Sequence, residues 1–154
     1  MNQSVRITKK INSFNKNLVI EGDKSLSIRW ILLASQATGK SQSKNLLKSE
    51  DVLNTLECIK KLGIKIKYSK NKCIIHGKGL NSFDYKSNII LNAGNSGTLG
   101  RLILGLLVHS KKKIIIKGDK SLSKRDFLRV TKPLEKFGAK FKTNSGKLPI
   151  IING

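Results

Sequence analysis

The stretch 22–29 combines three side chains suited to holding an anion, directly after a glycine. Lys24 supplies a mobile positive charge, Ser25 a hydroxyl group, and Arg29 a guanidinium group that can bond two oxygen atoms at once. An apolar run precedes the stretch and an amphipathic run follows it, which predicts a strand, a glycine turn and a helix start. The N–H groups and the dipole of a helix N-terminus favour an anion. Taken alone, such a stretch is more often a plain helix cap with solvated basic residues.

A near copy of this octet occurs at 118–125, where Lys124 replaces Ile28 and the other seven residues are the same. A helical pattern, a glycine and a basic hairpin pattern follow each copy. The repeat predicts an α/β fold in which a β-α-β-α-β-β unit occurs about twice, around residues 18–92 and 93–154. The sequence stops just after a strand pattern, so we expect 1–154 to be a partial domain.

A third turn of similar design lies at 94–98, between an apolar strand pattern and an apolar helix pattern. Gly97 allows a close approach of the backbone to a ligand, and Asn95 and Thr98 offer polar side chains. Arg101 follows one turn later. We expect the three turns to converge on one cleft for an anionic ligand, with Arg125 as a further cation.

The elements that must position these turns follow from the apolar periodicity. The best-defined helix follows the cap Ser49, with apolar residues at 52, 53, 56, 59 and 62, and ends at Gly63. The other predicted helices lie at 27–37 (with Ile28, Leu32 and Leu33 buried), at 99–109, and around 133–137. The predicted strands lie at 5–8, 18–20, 44–47, 64–68, 73–76, 88–91, 113–117, around 141, and at 148–152.

The composition excludes some classes of protein and leaves one alternative open. The 154 residues suffice for one domain with a core, and no apolar run approaches the ~20 residues of a membrane span. Two cysteines do not form a disulfide framework, so we expect a cytoplasmic protein. The net charge of +22 comes mostly from lysines spread along the chain, and aromatic residues make up only 5%. A basic nucleic-acid-binding module therefore stays an alternative with weak support.

Two further motifs fit a structural role better than a chemical one. The segment 34–41 is a loose form of a nucleotide-binding loop, but its helix pattern precedes the loop instead of following it. Cys73 and His76 have a metal-like spacing but lack a second ligand pair.

The separated motifs, in this order, resemble the N-terminal part of the EPSP synthase family. The matching segments are 22–29, 45–51, 55–63, 94–101 and 125–138. The resemblance implies an enolpyruvyl transferase-like fold of two domains, each built from three β-α-β-α-β-β units, of which this chain would hold about two. It also implies that the third unit and the second domain lie outside the 154 residues.

The family transfers the enolpyruvyl group of phosphoenolpyruvate to the 5-hydroxyl group of shikimate 3-phosphate and releases phosphate. The resemblance implies no metal or organic cofactor, no nucleic acid, no membrane and a monomeric full-length enzyme. The related UDP-N-acetylglucosamine enolpyruvyl transferases stay an alternative, although they typically have Lys-Asn where this chain has Lys24-Ser25.

Carried over by position, Lys24 matches a lysine that contacts both substrates. Ser25 and Arg29 match contacts to shikimate 3-phosphate. The residues that match the phosphoenolpyruvate loop and its cation are Asn95, Gly97, Thr98 and Arg125, and Asp51 has a weaker match near the cleft. The acid–base residues are expected beyond residue 154, and these residues alone are expected to be inactive.

The chain departs from the family pattern at several positions that affect loop stiffness more than ligand chemistry. These are Glu21, Leu99, Gly100, Leu102 and Asp126.

Overall fold

The structure is a computed structural model that describes residues 6, 8, 13, 15, 20–69 and 72–153. The strands predicted at 5–8 and 18–20 fall almost entirely on other residues and so lie outside the described part. The fold is a mixed α/β structure, as the sequence predicted.

The described part of the chain forms four helices and seven strands. The helices are α1 (Lys24–Gln36), α2 (Glu50–Lys61), α3 (Gly97–Leu106) and α4 (Leu128–Lys136), and a 3₁₀ turn covers Leu122–Lys124. The strands are β1 (Thr38–Lys44), β2 (Lys65–Ser69), β3 (Lys72–Lys78), β4 (Ile89–Asn92), β5 (Ile114–Lys117), β6 (Phe141–Asn144) and β7 (Lys147–Ile152). The order β4-α3-β5-α4-β6-β7 is one complete β-α-β-α-β-β unit.

The strands form two sheets with related topology. The first sheet has the order β1-β3-β2 with antiparallel neighbours. The second has the order β4-β5-β7-β6, in which only β4 and β5 are parallel. The order β5-β7-β6 therefore repeats β1-β3-β2, and β5 begins at residue 114, 76 residues after β1 at residue 38.

This spacing corrects the interpretation of the two octets, which begin 96 residues apart at 22 and 118. Octet 22–29 contains the first six residues of α1, which precedes β1, whereas octet 118–125 follows β5 and precedes α4. The octets therefore occupy different junctions of the repeated fold. Their similarity is local, because Asp23 accepts a hydrogen bond from the backbone N–H of Leu26 and Asp119 accepts one from that of Leu122.

Helices α1, α2 and α3 pack together on one side of the sheets and bury most of the core. Full burial of a Leu or Ile side chain contributes roughly 1.5–3 kcal/mol. The fully buried members include Ile28, Ile31, Val52, Leu56, Ile59, Leu99, Ile103, Leu104 and Phe127.

Two side chains expected in this core are exposed. Leu33 is 68% exposed because Ile31 and Leu32 take the inward positions of α1, and Leu53 is 45% exposed on α2. The cap at Ser49 is confirmed, since its hydroxyl accepts from the backbone N–H of Val52.

The strand predicted at 44–47 is wrong. The strand in this region is β1, which is polar throughout and ends at Lys44, and the next residue, Asn45, has φ = 58°. A left-handed residue cannot continue a strand. The hydrogen-bonding partner β3 makes this polar segment a strand, and apolar alternation does not reveal it.

The contact between α1 and the first sheet depends on a glycine. Gly77 of β3 lies against the carbonyl oxygens of Ala34 and Ala37, and a Cβ atom at this position would overlap them. The side of the sheet that carries Gly77, Ile75 and Cys73 is therefore the buried one.

Candidate functional site

A cleft of about 450 Å³ lies where the predicted turns meet. The strands β4 and β5 are parallel, so the loops at their carboxyl ends lie at one edge of the second sheet. The first residue of α1, the first turn of α2 and the start of α3 reach the same place. The cleft is lined by Lys24, Asp51, Asn95, Gly97, Thr98, Arg101 and Arg125.

Lys24 and Asp51 form an ion pair across the cleft, with 3.1 Å between Nζ and Oδ2. The pair joins the first residue of α1 to the first turn of α2, where the helix dipole favours a carboxylate. The Lys24 side chain is 51% exposed and that of Asp51 is 18% exposed. Such partly exposed pairs contribute only about 0–1 kcal/mol, so Lys24 can turn to an anionic ligand at small cost.

The N-terminus of α1 is less open than the sequence suggested. The carboxylate of Asp23 already accepts a hydrogen bond from the Leu26 N–H at 2.6 Å. The hydroxyl of Ser27 donates to the carbonyl of Asp23 at 2.6 Å and accepts from the Leu47 N–H at 3.1 Å. The first turn is thus stabilised by its own chain, and its contribution to the cleft is the side chain of Lys24.

Arg125 is oriented by the loop opposite. Its Nη2 donates to Oδ1 of Asn95 at 2.7 Å, which joins the end of octet 118–125 to the loop after β4. This bond explains why both residues line the cleft although they are 30 positions apart.

Arg101 is a member of the cleft that the sequence analysis noted but did not assign. It donates to the carbonyls of Gly97 and Asp126 at 3.5 and 3.3 Å, and its guanidinium lies 5.2 Å from the ring centre of Phe127. Its buried Nε has no partner among the described residues. Its position one helical turn after Gly97 was the available signal.

The electrostatic environment of Arg101 is unfavourable for its charge. Burial lowers the pKa of its guanidinium, and the nearby positive charges of Arg129 and Arg125 lower this pKa further, while Asp126 opposes them. An anion between the guanidinium groups would relieve this repulsion.

Both guanidinium groups lie close to Gly97. A Cβ atom at this position would lie 2.7 Å from Nη1 of Arg101 and 3.2 Å from Nη1 of Arg125. The missing side chain therefore leaves both cations access to the same point of the cleft.

The structure brings most of the candidate residues together but not all of them. Lys24, Asn95, Gly97, Thr98 and Arg125 line the cleft, as does the weaker candidate Asp51. Ser25 and Arg29 do not line it. They lie one turn apart on α1, where Ser25 is half-buried and Arg29 is exposed.

The two motifs assigned to structural roles form no ligand site. The segment 34–41 is the end of α1 followed by β1. Cys73 and His76 lie in β3 on opposite sides of the sheet, so they cannot share a metal ion. In the described part of the chain, no three His, Cys, Asp or Glu side chains are grouped so as to bind a metal, and no helix is long and apolar enough to cross a membrane.

Known proteins are similar to this chain in both sequence and fold. A relative named 3-phosphoshikimate 1-carboxyvinyltransferase from Vesicomyosocius okutanii subsp. Calyptogena okutanii (strain HA) is 46% identical over 143 residues, which cover 93% of this chain and 33% of that protein. One of the same name from Bacillus subtilis (strain 168) is 37% identical over 147 residues, covering 94% and 34%. The solved EPSP synthase from Acinetobacter baumannii has a TM-score of 0.83 and 36% identity, covering 89% of this chain and 32% of that one.

The chain thus spans about a third of the length of these relatives. The family model described as EPSP synthase (3-phosphoshikimate 1-carboxyvinyltransferase) matches residues 8–154. Together with the related fold, this match shows that the chain belongs to the EPSP synthase family.

Proposed function

We propose that this chain supplies part of the active site that transfers the enolpyruvyl group of phosphoenolpyruvate to the 5-hydroxyl group of shikimate 3-phosphate, giving 5-enolpyruvylshikimate 3-phosphate and phosphate. Both substrates carry several negative charges. The observation that carries the proposal is the pair of guanidinium groups, from Arg101 and Arg125, that both lie against Gly97 in the cleft. The names of the relatives support the same reaction.

In this proposal, Arg125 and Gly97 hold the anionic groups of phosphoenolpyruvate. The hydrogen bond from Arg125 to Asn95 restricts the guanidinium before the ligand arrives, which lowers the entropic cost of binding. Thr98 lines the same loop. Two cations in one partly enclosed cleft favour the charge that develops on a departing phosphate group.

Lys24 contacts both substrates in this proposal, because its ion pair with Asp51 is weak enough to exchange for a ligand. Ser25 and Arg29 follow on the same helix and are assigned to the phosphate of shikimate 3-phosphate. Their place outside the cleft of the described residues fits a substrate that is held between this chain and the remainder of a longer protein.

The acid–base groups are assigned to residues outside this sequence. Asp51 is the only carboxylate that lines the cleft of the described residues, and Lys24 neutralises it. The 154 residues alone are therefore expected to give no turnover of the two substrates. Product formation by the purified 154-residue chain would contradict this assignment.

The binding roles can be separated by calorimetry on a protein that includes the remaining two thirds of the family's length. Arg125→Ala should weaken phosphoenolpyruvate binding by about 1.5–3 kcal/mol, or roughly 10- to 150-fold in Kd, because a charge-assisted bond is lost. The control is Lys132→Ala, which removes one positive charge from an exposed residue of α4 that does not line the cleft. Equal effects of the two substitutions would reduce the proposed contact to general electrostatics.

Arg29→Ala tests the second substrate. It should raise the Kd of shikimate 3-phosphate by a similar factor and leave the Arg125–Asn95 contact intact. An unchanged Kd would remove Arg29 from the site, while the Arg125 result would still decide the assignment of phosphoenolpyruvate.

The proposal includes a cytoplasmic location. Both cysteines, Cys58 and Cys73, are buried and unpaired, which fits a reducing compartment.

A further inference from the structure

The outer side of the first sheet concentrates positive charge. In β3 the residues Cys73, Ile75 and Gly77 are buried, so the alternate residues of this strand lie on the opposite side. The pairing register then places the alternate residues of β1 and β2 on that side as well. This surface, which we call the basic face, carries Lys40, Lys44, Lys65, Lys67, Lys72 and Lys78.

No acidic residue balances these lysines within the sheet. The three strands contain no Asp or Glu, and none of the six lysines takes part in an ion pair among the described residues. Lys44 lies directly opposite Lys72, and His76 lies between Lys40 and Lys65. Cationic side chains placed opposite one another in a sheet repel, so the basic face is electrostatically unfavourable until an anion covers it.

The spacing of the lysines suits a chain of phosphates better than a single small anion. Residues on one side of a strand repeat every ~6.8 Å, which is two strand rises, and neighbouring strands are ~4.8 Å apart. The charges are therefore spread over three adjacent strands. A polyanion with regularly spaced charges can contact several of them at once.

The middle of the basic face is less polar than its border. Ile74 and His76 of the central strand are half-buried. His76 has Lys40 and Lys65 on its two sides, and Ile74 has Gln42 and Lys67. Sheets that bind single-stranded nucleic acid stack bases on aromatic side chains, of which His76 is one, and place phosphates on the surrounding cations. The side of a three-stranded sheet offers no helix or two-stranded ribbon that would enter a duplex groove.

We propose that the basic face binds single-stranded nucleic acid, with its phosphates on the lysines and its bases over Ile74 and His76. None of these residues lines the cleft, so the inference is independent of the proposed enzymatic function. In the sequence, the even distribution of lysines along the chain gives only weak support for a nucleic-acid partner. The pairing register, however, brings six of those charges onto one surface.

The test is fluorescence anisotropy of labelled 15-nucleotide oligouridylate and oligothymidylate with the purified protein. The triple variant Lys40→Gln, Lys65→Gln, Lys67→Gln should bind at least tenfold more weakly. The matched control, Lys132→Gln, Lys136→Gln, Lys140→Gln, removes the same charge from exposed residues in and after α4 and should change Kd less than twofold. His76→Ala removes the aromatic ring but keeps all six lysines, and it should weaken binding severalfold.

Salt dependence gives a second readout. Each neutralised phosphate contributes about −0.7 to the slope of log K against log salt for a single strand. The basic-face variant should therefore lose about two units of slope, and the control variant should lose none. Circular dichroism of both variants establishes that they are folded.

Equal losses of affinity in the two triple variants would overturn the proposal, because net charge alone would then explain binding. Absence of oligonucleotide binding at 100 mM salt would also overturn it. Binding to phosphatidylserine vesicles but not to oligonucleotides would assign the face to membranes instead. Preference for one of the two oligonucleotides would identify RNA or DNA as the natural source of the phosphates.

Discussion

The two sheets share a strand order but differ in the side that faces away from the helices. The first sheet presents six lysines there, whereas the second presents the aligned isoleucines Ile90, Ile115 and Ile151 together with three lysines, Lys117, Lys142 and Lys147. The inward sides of both are buried and apolar at their centres. Packing therefore restricts the inward positions of a repeated fold, while the outward positions are free to acquire different partners.

The two octets are similar in sequence but differ in their place in the fold. They share seven of eight residues and the same aspartate cap, but one begins α1 and the other forms a 3₁₀ turn between β5 and α4. The first contributes Lys24 to the cleft and the second contributes Arg125, from opposite ends of the octet. Similar local hydrogen bonding can thus occur at junctions that are not equivalent in the fold.

The largest expected effect compares helix packing in the part of the chain with the first sheet (the first half) and in the part with the second sheet (the second half). Gly77→Ala places a Cβ against the backbone carbonyls of Ala34 and Ala37, which cannot move without displacing α1, so it should cost about 3 kcal/mol. The control Gly100→Ala, in α3 of the second sheet's unit, places a Cβ 3.4 Å from the ring of Phe127 and 3.6 Å from Leu122, and it gains helix propensity. It should change the free energy of unfolding by less than about 1 kcal/mol in urea denaturation. Equal costs would mean that both halves pack their helices with the same tolerance.

A smaller effect is a loss of stability at high pH that comes from the part of the chain with the first sheet, because both cysteines lie there. Burial raises the pKa of the Cys58 thiol from 9.0 to about 11, although Lys61 and a hydrogen bond to the carbonyl of Asn92 lower it. The native state then keeps a proton that the unfolded state loses, so stability is fully present below pH 9 and declines as pH rises towards 11. The decline should reach about 2–3 kcal/mol.

Urea denaturation between pH 8 and 11 measures this decline. Cys58→Ala is the control, since its packing defect is independent of pH and its profile should be flatter than that of the wild type by the same amount. Parallel profiles would show that the thiol is ionised in the folded protein.

The smallest expected effect compares equivalent serines of the two octets. Ser27→Ala leaves the backbone N–H of Leu47 without its acceptor in a buried position and should cost about 1.5 kcal/mol. Ser123→Ala removes only a 3.3 Å bond to the carbonyl of Gly118 and should cost less than about 0.5 kcal/mol. Thermal denaturation of the two variants provides the measurement. A larger loss of stability for Ser123→Ala than for Ser27→Ala would show that the second octet, not the first, makes the stronger hydrogen bonds to neighbouring segments.

Much of the local structure could be predicted because its signals lie within a few residues. The helix α2 shows its cap at Ser49, its apolar period and its terminal Gly63, and the structure confirms the cap, the end and the buried period apart from the exposed Leu53. The polar strand β1 could not be predicted, since its only strand signal is the partner β3, whose residues pair with it across 28 to 40 positions of the chain. Leu33 was misplaced because an apolar residue beside the buried stripe of a helix looks the same in sequence as one within it.

The candidate site also has a part that could be predicted from the sequence and a part that could not. Its three loops were predictable, because glycines, hydroxyl groups and basic residues at strand–helix junctions favour anions whatever surrounds them. The unassigned member, Arg101, owes its place to contacts with Gly97 and Asp126, and the second of these comes from a distant segment.

The sequence by itself determined the α/β class, the helix caps and the resemblance to EPSP synthases, because these depend on short-range patterns and on the order of motifs. Only the tertiary structure decided which loops meet in the cleft and which octet lies at which junction. It also decided that lysines spread evenly along the chain gather on one side of the first sheet. Strand register is the physical reason, since it brings residues together across long separations in the chain and selects the side of the sheet on which each one lies.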